Sequence, residues 1–214
     1  MAKTESMLLL TDVVGSRSIV NRKKFERSLA TALAGAEKAY PQVLDKGIKV
    51  WKGLDEAVAV VRQPERLYEL MEMLNGAIAP QKMRFVVVKG EMEKPDKEGD
   101  LSTADGPVFP KAVTQMTALK KSGLLFDCNT GNEARDNLWR TQVNLLLLLQ
   151  ADWTEQQHRI YREYVQQGSQ DGVAKVLKIS QQAVSKTLKS IRAQQVRILQ
   201  KNVQTWAETE LTKH

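Results

Sequence analysis

Residues 169–189 read SQDGVAKVLKISQQAVSKTLK. Ser169 and Ser180 are residues typical of helix N-caps, because a serine hydroxyl can accept a hydrogen bond from a free backbone N–H of the first turn. The stretch therefore predicts a short helix over 170–177, a tight turn at 178–180 and a second helix that begins after Ser180.

The second of these helices has one apolar face. Val184, Leu188 and Ile191 recur at i, i+4 and i+7, the spacing of residues on one side of an α-helix. Burial of this side turns the opposite side toward solvent. The opposite side carries amide, hydroxyl and ammonium groups, on Gln181, Gln182, Ser185, Lys186 and Lys189.

A further helix is expected just before this pair. Thr154 followed by Gln157 is a capping-box pattern, which predicts a helix from Glu155 to about Gln167. Three helices with this spacing resemble the helix-turn-helix pattern of many bacterial regulators. The sequence departs from that pattern at Lys178, which stands in the turn where such motifs usually have a glycine with positive φ.

The exposed groups of the last helix suit double-stranded DNA. Glutamine can pair with N6 and N7 of adenine and lysine with O6 and N7 of guanine, and the first residues of a recognition helix reach deepest into the major groove. The alternative is that these groups form only the solvated face of a small helical bundle. The candidates are Gln181, Gln182 and Ser185 for base contacts, and Lys175, Lys186, Lys189 and Arg192 for phosphate contacts.

The charge distribution favours the same partner. The 214-residue chain carries 32 Lys and Arg against 25 Asp and Glu, a net charge of +7. Residues 169–201 hold seven of these cations and a single acidic residue, Asp171. A basic stretch of this density is typical of proteins that bind an anionic polymer.

Composition also limits the compartment and the chemistry. The single cysteine, Cys128, excludes an internal disulfide, and two histidines are too few for a Cys/His metal cluster. The apolar runs Met7–Leu10 and Leu145–Leu149 are far shorter than the roughly 20 residues that a membrane span needs. We therefore expect a cytoplasmic protein with no membrane partner.

The N-terminal half predicts a sheet with two helices. Its apolar periodicity gives the order strand, helix, strand, strand, helix, strand, which is the split βαβ arrangement of a ferredoxin-like sheet with its helices on one face. A solvated loop over 91–106, a helix over 111–121 and an edge strand over 124–126 should follow. The first six elements are expected at 7–14, about 21–40, 48–51, 57–61, 64–74 and 83–88.

Composition changes near residues 129–136, and beyond them the chain reads as helix almost to its end. We therefore predict an α+β domain over 1–130 and an all-α domain over 131–214, with the helix-turn-helix at about 154–192. The run Leu145–Leu149 is expected to be the buried face of a connecting helix.

A second apolar stripe lies on the C-terminal amphipathic helix, which should continue without a break past Arg192. The stripe needs a partner surface, and two partners are possible. It can pair with a second copy of the chain, giving the homodimer expected of such DNA-binding modules, or it can pack on the Leu145–Leu149 helix of its own chain. The stripe consists of Val196, Leu199, Val203 and Trp206.

Four segments of the N-terminal half belong together. They are LTDVVGSR at 10–17, KGLDEAVAVV at 52–61, MRFVVVKGE at 83–91 and DGPVFPKA at 105–112. In this order, ahead of the helix-turn-helix pattern, they resemble the SatD family of bacterial proteins over nearly the whole chain. SatD-like N-terminal domains are in turn similar to class III nucleotide cyclases, whose catalytic fold is ferredoxin-like.

The resemblance to cyclases implies a metal site. In that fold two aspartates, one after the first strand and one at the hairpin, hold two divalent cations, and Asp12 and Asp55 occupy the matching places, with Glu56 as a third candidate ligand. Mg²⁺ or Mn²⁺ would suit such oxygen ligands. Carboxylates at strand ends are also common turn and capping residues, so the alternative is a purely structural pair. If the site is not intact, no cofactor is expected.

The chain departs from the cyclases at positions that carry catalysis. Counted from Gly106, the places of their transition-state asparagine and arginine hold Pro110 and Thr114, and Leu54 replaces the hairpin glycine. The sequence therefore favours a transcriptional regulator with a catalytically degenerate sensor or interaction domain, which could take a nucleotide or small-molecule ligand. The alternative is a metal-dependent, cyclase-like enzyme that the helix-turn-helix targets, with Asp12, Asp55 and Arg84 as its site.

Overall fold

The computed structural model describes residues 3–51, 53, 55–93 and 106–211. Strands and helices alternate in the first half, and the second half is helical. The strands are β1 Lys3–Val13, β2 Leu44–Val50, β3 Glu56–Val61, β4 Met83–Glu93 and β5 Phe126–Asn129. The helices are α1 Arg22–Ala39, α2 Leu67–Ile78, α3 Val108–Ser122, α4 Glu133–Gln150, α5 Glu155–Gln167, α6 Gln170–Leu177, α7 Gln181–Ser190 and α8 Ala193–Glu210. Short 3₁₀ turns lie at Ser16–Ser18 and Pro64–Arg66.

The strands form one sheet in the order β2-β3-β1-β4-β5. Neighbouring strands are antiparallel except for β4 and β5, which are parallel. The order of the first six predicted elements is confirmed. The predicted loop over 91–106 overlaps the end of β4, and its residues 94–105 lie outside the described part of the chain.

Helices cover both faces of the sheet, so the expectation of helices on one face is wrong. Successive residues of a strand point to opposite faces. Leu9 of β1 packs in the core with α1 and α2, whereas its neighbours Leu8 and Leu10 pack with α3. The second layer exists because β1 is apolar at consecutive positions and so has two faces to bury.

An asparagine of α4 ties the fifth strand to the helical half. The side-chain oxygen of Asn144 accepts hydrogen bonds from the backbone N–H groups of Leu125 and Phe126, each at 3.0 Å, and its amide nitrogen donates to the Phe126 carbonyl at 2.8 Å. Asn144 is buried, so these bonds satisfy polar groups that water cannot reach. The predicted edge strand is therefore present, displaced to 126–129.

The leucine run of α4 is only partly buried, which corrects the expectation that all five residues form a buried face. Leu146 and Leu147 lie in the core, while Leu145, Leu148 and Leu149 are 44–51% exposed. Successive helical residues are about 100° apart, so five in a row cannot share one side. Among the described residues, no helix is both long and apolar enough to cross a membrane.

Helix α8 packs on α4 of its own chain. Val196 and Val203 are buried, and the ring of Trp206 lies 6.2 Å from that of Trp139 on α4. The stripe is therefore used within the chain, the second of the two possibilities. The expected helix past Arg192 is confirmed as α8, which is separated from α7 by a break: α7 ends at Ser190, and Arg192 adopts a left-handed conformation with φ 53°. This break lets α8 turn back onto α4.

The hydrophobic core continues across residues 129–136, where the sequence predicts a domain boundary. One cluster of buried side chains joins the sheet to α4, α5, α7 and α8. Besides the Asn144 bonds, further buried polar contacts cross the same line: the Tyr68 hydroxyl donates to Gln150 Oε1 at 2.6 Å, and His158 Nδ1 lies 3.2 Å from Glu72 Oε1. The two halves thus share one core, and the division into two domains stays a prediction.

Gly76 allows α2 and α5 to approach closely. A Cβ atom at Gly76 would lie 2.9 Å from Cβ of His158, which cannot move away unless α5 moves. We expect Gly76→Ala to lower the free energy of unfolding by about 1–3 kcal/mol, as overpacking does, measured by denaturant unfolding. Gly35→Ala on α1 is the matched control, since its Cβ would meet only Met73 Cε at 3.6 Å. Equal effects of the two changes would contradict this account.

Candidate nucleic-acid interface and Asp12–Asp55 cleft

The helices α5, α6 and α7 begin at the caps that the sequence predicts. Thr154 Oγ1 accepts from the Gln157 N–H at 3.2 Å and Gln157 Oε1 accepts from the Thr154 N–H at 2.8 Å, which is a complete capping box. Ser169 accepts from the Gly172 N–H and Ser180 from the Ala183 N–H, each at 3.1 Å. These bonds satisfy N–H groups that the helices leave free, so each helix start is fixed locally.

Lys178 makes the turn between α6 and α7 in a left-handed conformation, with φ 56° and ψ 43°. A non-glycine residue in this region costs about 1 kcal/mol because its Cβ crowds the backbone. Its N–H nevertheless caps α6 by donating to the Ala174 carbonyl. Lys178 stands where the motif usually has a glycine, and it adopts the same left-handed conformation that the turn requires.

The apolar side of α7 faces inward. Val184 is fully buried, and Leu188 and Ile191 are each 6% exposed. On the other side Gln181, Gln182, Lys186 and Lys189 are exposed, while Ser185 is half-buried. The predicted polar set is thus brought together on one helix surface, with Ser185 set back from the rest.

The predicted phosphate-contacting cations are all exposed. Lys186 and Lys189 belong to the polar side of α7, Lys175 lies on α6 and Arg192 at the start of α8. Ser185, Lys189 and Arg192 line a shared cavity of about 450 Å³. Gln181 Nε2 donates to Gln170 Oε1 at 3.0 Å, so one candidate base-reading amide already has a partner on α6. The sequence did not indicate that contact.

Asp12 and Asp55 line a second cleft, of about 750 Å³, at one end of the sheet. Asp12 is 4% exposed near the end of β1, where it pairs with Glu56 of β3 on one side and with Arg84 of β4 on the other. Asp55 lies just before β3, and its carboxylate accepts a hydrogen bond from the Ser16 hydroxyl. The topology therefore brings together the two carboxylates that the resemblance to cyclases singled out.

Both oxygens of Asp12 are engaged by cations. Lys120 Nζ lies 2.6 Å from Oδ1, and Arg84 Nη1 donates to Oδ2 at 3.1 Å. Lys120 also donates to Glu56 Oε1 at 3.2 Å. Burial lowers the pKa of Lys120, but its hydrogen bonds to Asp12 and Glu56 outweigh burial and raise the pKa above its ordinary value.

Lys120 is the functional residue that sequence reasoning missed. It lies near the C-terminus of α3, more than one hundred residues from Asp12, and its sequence neighbours are those of an ordinary basic helix end. Only the packing of α3 on the second face of the sheet brings its ammonium group to the end of β1.

These carboxylates do not fit a divalent cation. Each oxygen of Asp12 contacts a cation, one oxygen of Asp55 accepts from Ser16, and one oxygen of Glu56 contacts Lys120. Within the described ranges, no three Asp, Glu, His or Cys residues form a group that could hold a metal ion. The expectation of a metal pair at Asp12 and Asp55 is therefore not supported by their geometry.

The positions that correspond to the last cyclase motif lie on α3. The Thr114 hydroxyl donates to the Pro110 carbonyl at 3.0 Å, a contact within one turn of the helix. Both residues are exposed, and neither lines the Asp12–Asp55 cleft. Leu54, the residue in place of the hairpin glycine, lies outside the described residues.

Solved structures with some similarity to the chain have low TM-scores. Two are structures of a bacterial light-regulated adenylyl cyclase, each with 10% sequence identity. The match to the first covers 59% of this chain and 43% of the cyclase chain, with a TM-score of 0.44. The match to the second covers 60% of this chain and 77% of the cyclase chain, with a TM-score of 0.45. A regulator of polyketide synthase expression from Bifidobacterium adolescentis has 13% identity, covers 94% of this chain and 86% of its own, and has a TM-score of 0.28. The chain thus spans less than half of the first of these proteins.

No protein among the curated sequences matches the chain. A model of the SatD family matches residues 6–208, which include β1 from Ser6 onward, the other four strands and nearly all of α8. The chain therefore belongs to the SatD family.

Proposed function

We propose that the chain is a sequence-specific DNA-binding protein, a transcriptional regulator. In this proposal α5–α7 form a helix-turn-helix with α7 as the recognition helix, and the ferredoxin-like, cyclase-like sheet domain is a degenerate sensor or interaction domain. One observation carries it: Val184 and Leu188 are buried on one side of α7 while Gln182, Lys186 and Lys189 are exposed on the other.

The chemistry of the exposed side matches duplex DNA. Gln181, Gln182 and Ser185 lie in the first turns of α7, where side chains of a recognition helix reach base edges. The candidate cations accompany these residues on α6, on α7 and at the start of α8, and Lys or Arg contacts to phosphate are those that position a protein on the duplex. Ser185 is the least exposed of the three, so Gln182 is the best candidate for a direct base contact.

The charge of this surface is available for phosphate. The described ion pairs all involve other cations, so no described carboxylate neutralises Lys175, Lys186, Lys189 or Arg192. An unneutralised basic surface gains free energy on binding DNA by releasing condensed counterions. Lysine is depleted at the cores of protein interfaces, so the exposed lysines of this surface favour a nucleic acid over a protein as the partner.

The proposal is tested by selecting genomic DNA fragments with the purified chain, sequencing them and titrating a selected duplex at several salt concentrations. We expect binding whose logarithm falls linearly with the logarithm of salt concentration, with a slope of roughly −0.9 for each phosphate contact. A scrambled duplex of equal length should bind more weakly. Absent binding, or binding that does not change with salt, would refute the proposal.

We also propose that the protein binds DNA as a homodimer through α4. The stripe on α8 is covered within its own chain, but Leu138, Leu145, Leu148 and Leu149 of α4 are exposed by 44–51%. A stable interface buries about 800 Å² per partner around an apolar centre, and these leucines can provide that centre. A second copy seated on this face would supply the second recognition helix that paired half-sites require.

Leu145→Glu combined with Leu149→Glu should shift the chain from dimer to monomer, because it places two charges in the centre of the interface. Sedimentation velocity over a range of concentrations measures the change. The matched control is Val165→Glu combined with Val176→Glu, at similarly exposed positions on α5 and α6. The dimer proposal fails if the wild type is monomeric at all concentrations or if the α4 variant remains a dimer.

The alternative function is a metal-dependent, cyclase-like enzyme acting on a nucleotide. Lys120 and Arg84 on the carboxylate of Asp12, and Pro110 and Thr114 at the places of the catalytic asparagine and arginine, favour the regulator instead. Incubation with ATP or GTP and Mn²⁺ separates the two functions. Turnover that disappears in Asp12→Ala would establish the enzyme.

A further inference from the structure

The Asp12–Asp55 cleft contains a lysine that contacts two carboxylates at once. Lys120 Nζ lies 2.6 Å from Asp12 Oδ1 and 3.2 Å from Glu56 Oε1, and so bridges β1 and β3. We infer that Lys120 closes this cleft to divalent cations by taking the place of a metal ion as the counter-charge of Asp12 and Glu56. This inference does not depend on the proposed binding of DNA.

Each of the three carboxylates already uses at least one oxygen on a group of the protein itself. Mg²⁺ and Mn²⁺ need several oxygen ligands that are free to approach the ion closely. Asp12 is buried at the edge of the cleft, and its second oxygen accepts from Arg84 at 3.1 Å. A metal ion that used Asp12 as a ligand would have to compete with Lys120 and Arg84 for its oxygens.

The balance of charge in the cleft also opposes a metal ion. The three carboxylates, on Asp12, Asp55 and Glu56, share the cleft with the cations of Arg17, Arg84 and Lys120, while Arg22, which also lines it, pairs with Glu26 outside the cleft. A dication would therefore enter a site whose negative charge is already neutralised and would be repelled by the ammonium group beside it.

The packing of α3 brings Lys120 to this position. The ammonium group of Lys120 offsets part of the free-energy cost of burying the Asp12 carboxylate. A buried carboxylate is unfavourable unless it is paired and hydrogen-bonded. With Lys120 present, the end of the sheet is stable without metal. A ligand of the cleft would then have to bind through the protein's own groups, such as the exposed guanidinium of Arg17, and not through a bridging cation.

The inference is tested by titrating the full chain with Mn²⁺ and following free Mn²⁺ by electron paramagnetic resonance at low salt. We expect no Asp12-dependent site in the wild type. Lys120→Met, which keeps an unbranched side chain as far as Cε and removes the ammonium group, should gain one site with a Kd of about 10⁻⁴ to 10⁻³ M, as in weak oxygen-ligand sites. Lys120→Arg keeps the charge and should remain closed.

The added variant Asp12→Asn decides whether the gained site is the one described. The double variant Lys120→Met, Asp12→Asn should lose the site again, and circular dichroism verifies that each variant is folded. The inference is overturned if the wild type binds Mn²⁺ in a way that Asp12→Asn abolishes, or if folded Lys120→Met gains no site. If Lys120→Met does not fold, comparing the wild type with Asp12→Asn still shows whether the wild type has an Asp12-dependent Mn²⁺ site.

Discussion

Replacing Lys186 and Lys189 together by alanine is expected to lower the affinity for duplex DNA about 100-fold, since a charge-assisted contact is worth about 1.5 kcal/mol and 1.4 kcal/mol is a factor of about ten in affinity. Both side chains are exposed on the polar side of α7. Losing two phosphate contacts should also reduce the steepness of the salt dependence by about 1.8. Fluorescence anisotropy at several salt concentrations measures both quantities.

The matched control removes the same two charges elsewhere. Lys23 and Lys38 are exposed on α1, so Lys23→Ala combined with Lys38→Ala lowers the net charge equally without changing the proposed interface. This control should leave the affinity nearly unchanged. An equal loss in both double variants would mean that net charge alone attracts DNA, and would contradict a specific surface on α7.

Gln182→Ala separates base reading from phosphate binding. Its amide lies in the first turn of α7 and carries no charge, so its loss should leave the salt slope unchanged. The difference in binding free energy between the selected and the scrambled duplex should shrink by about 1–3 kcal/mol, the value of a good bidentate base contact. A uniform loss on both duplexes would instead place Gln182 at the backbone.

Trp139→Ala is expected to have the largest effect on stability, lowering the free energy of unfolding by about 3–5 kcal/mol. The indole is 1% exposed, and its ring lies 5.1 Å from Phe126 of β5 and 6.2 Å from Trp206 of α8. It therefore joins the sheet, α4 and α8 in one cluster, and its loss leaves a cavity at the junction. Thermal unfolding should show a Tm lowered by about 6–20 °C, at roughly 2–4 °C per kcal/mol for a chain of this size.

Val165→Ala is the matched control for this change. Val165 on α5 is 42% exposed and lies outside the proposed dimer interface, so its truncation leaves no cavity in the core. We expect an effect within about 0.5 kcal/mol, as at ordinary surface positions. If Trp139→Ala were equally mild, α4 would not be the element that joins the two halves of the chain.

Local hydrogen bonds explain why the helical unit could be predicted closely. The starts of α5, α6 and α7 depend on Thr154, Ser169 and Ser180, each of which bonds to a backbone N–H three residues farther along the chain. The inward side of α7 follows from the spacing of its apolar residues. Such signals act within one or two helical turns, so the sequence contains them completely.

Where the sequence left alternatives open, the deciding contacts are distant along the chain. The stripe on α8 had two possible partners, and only the break at Arg192 turns it onto α4. The leucine run of α4 showed that apolar area was present, but the positions of the sheet and of α8 determine which leucines it buries. The spacing of apolar residues shows which side of a helix is apolar, but it does not show which other element packs on that side.

By itself the sequence determined the order of the strands and helices, the helix caps, and the set of polar groups on the outer side of α7, because each depends on residues close together in the chain. Only the tertiary structure decided that α3 covers the second face of the sheet and that Lys120 reaches Asp12. A carboxylate has the same local sequence signal whether it faces a metal ion or an ammonium group. The difference comes from packing between segments more than one hundred residues apart.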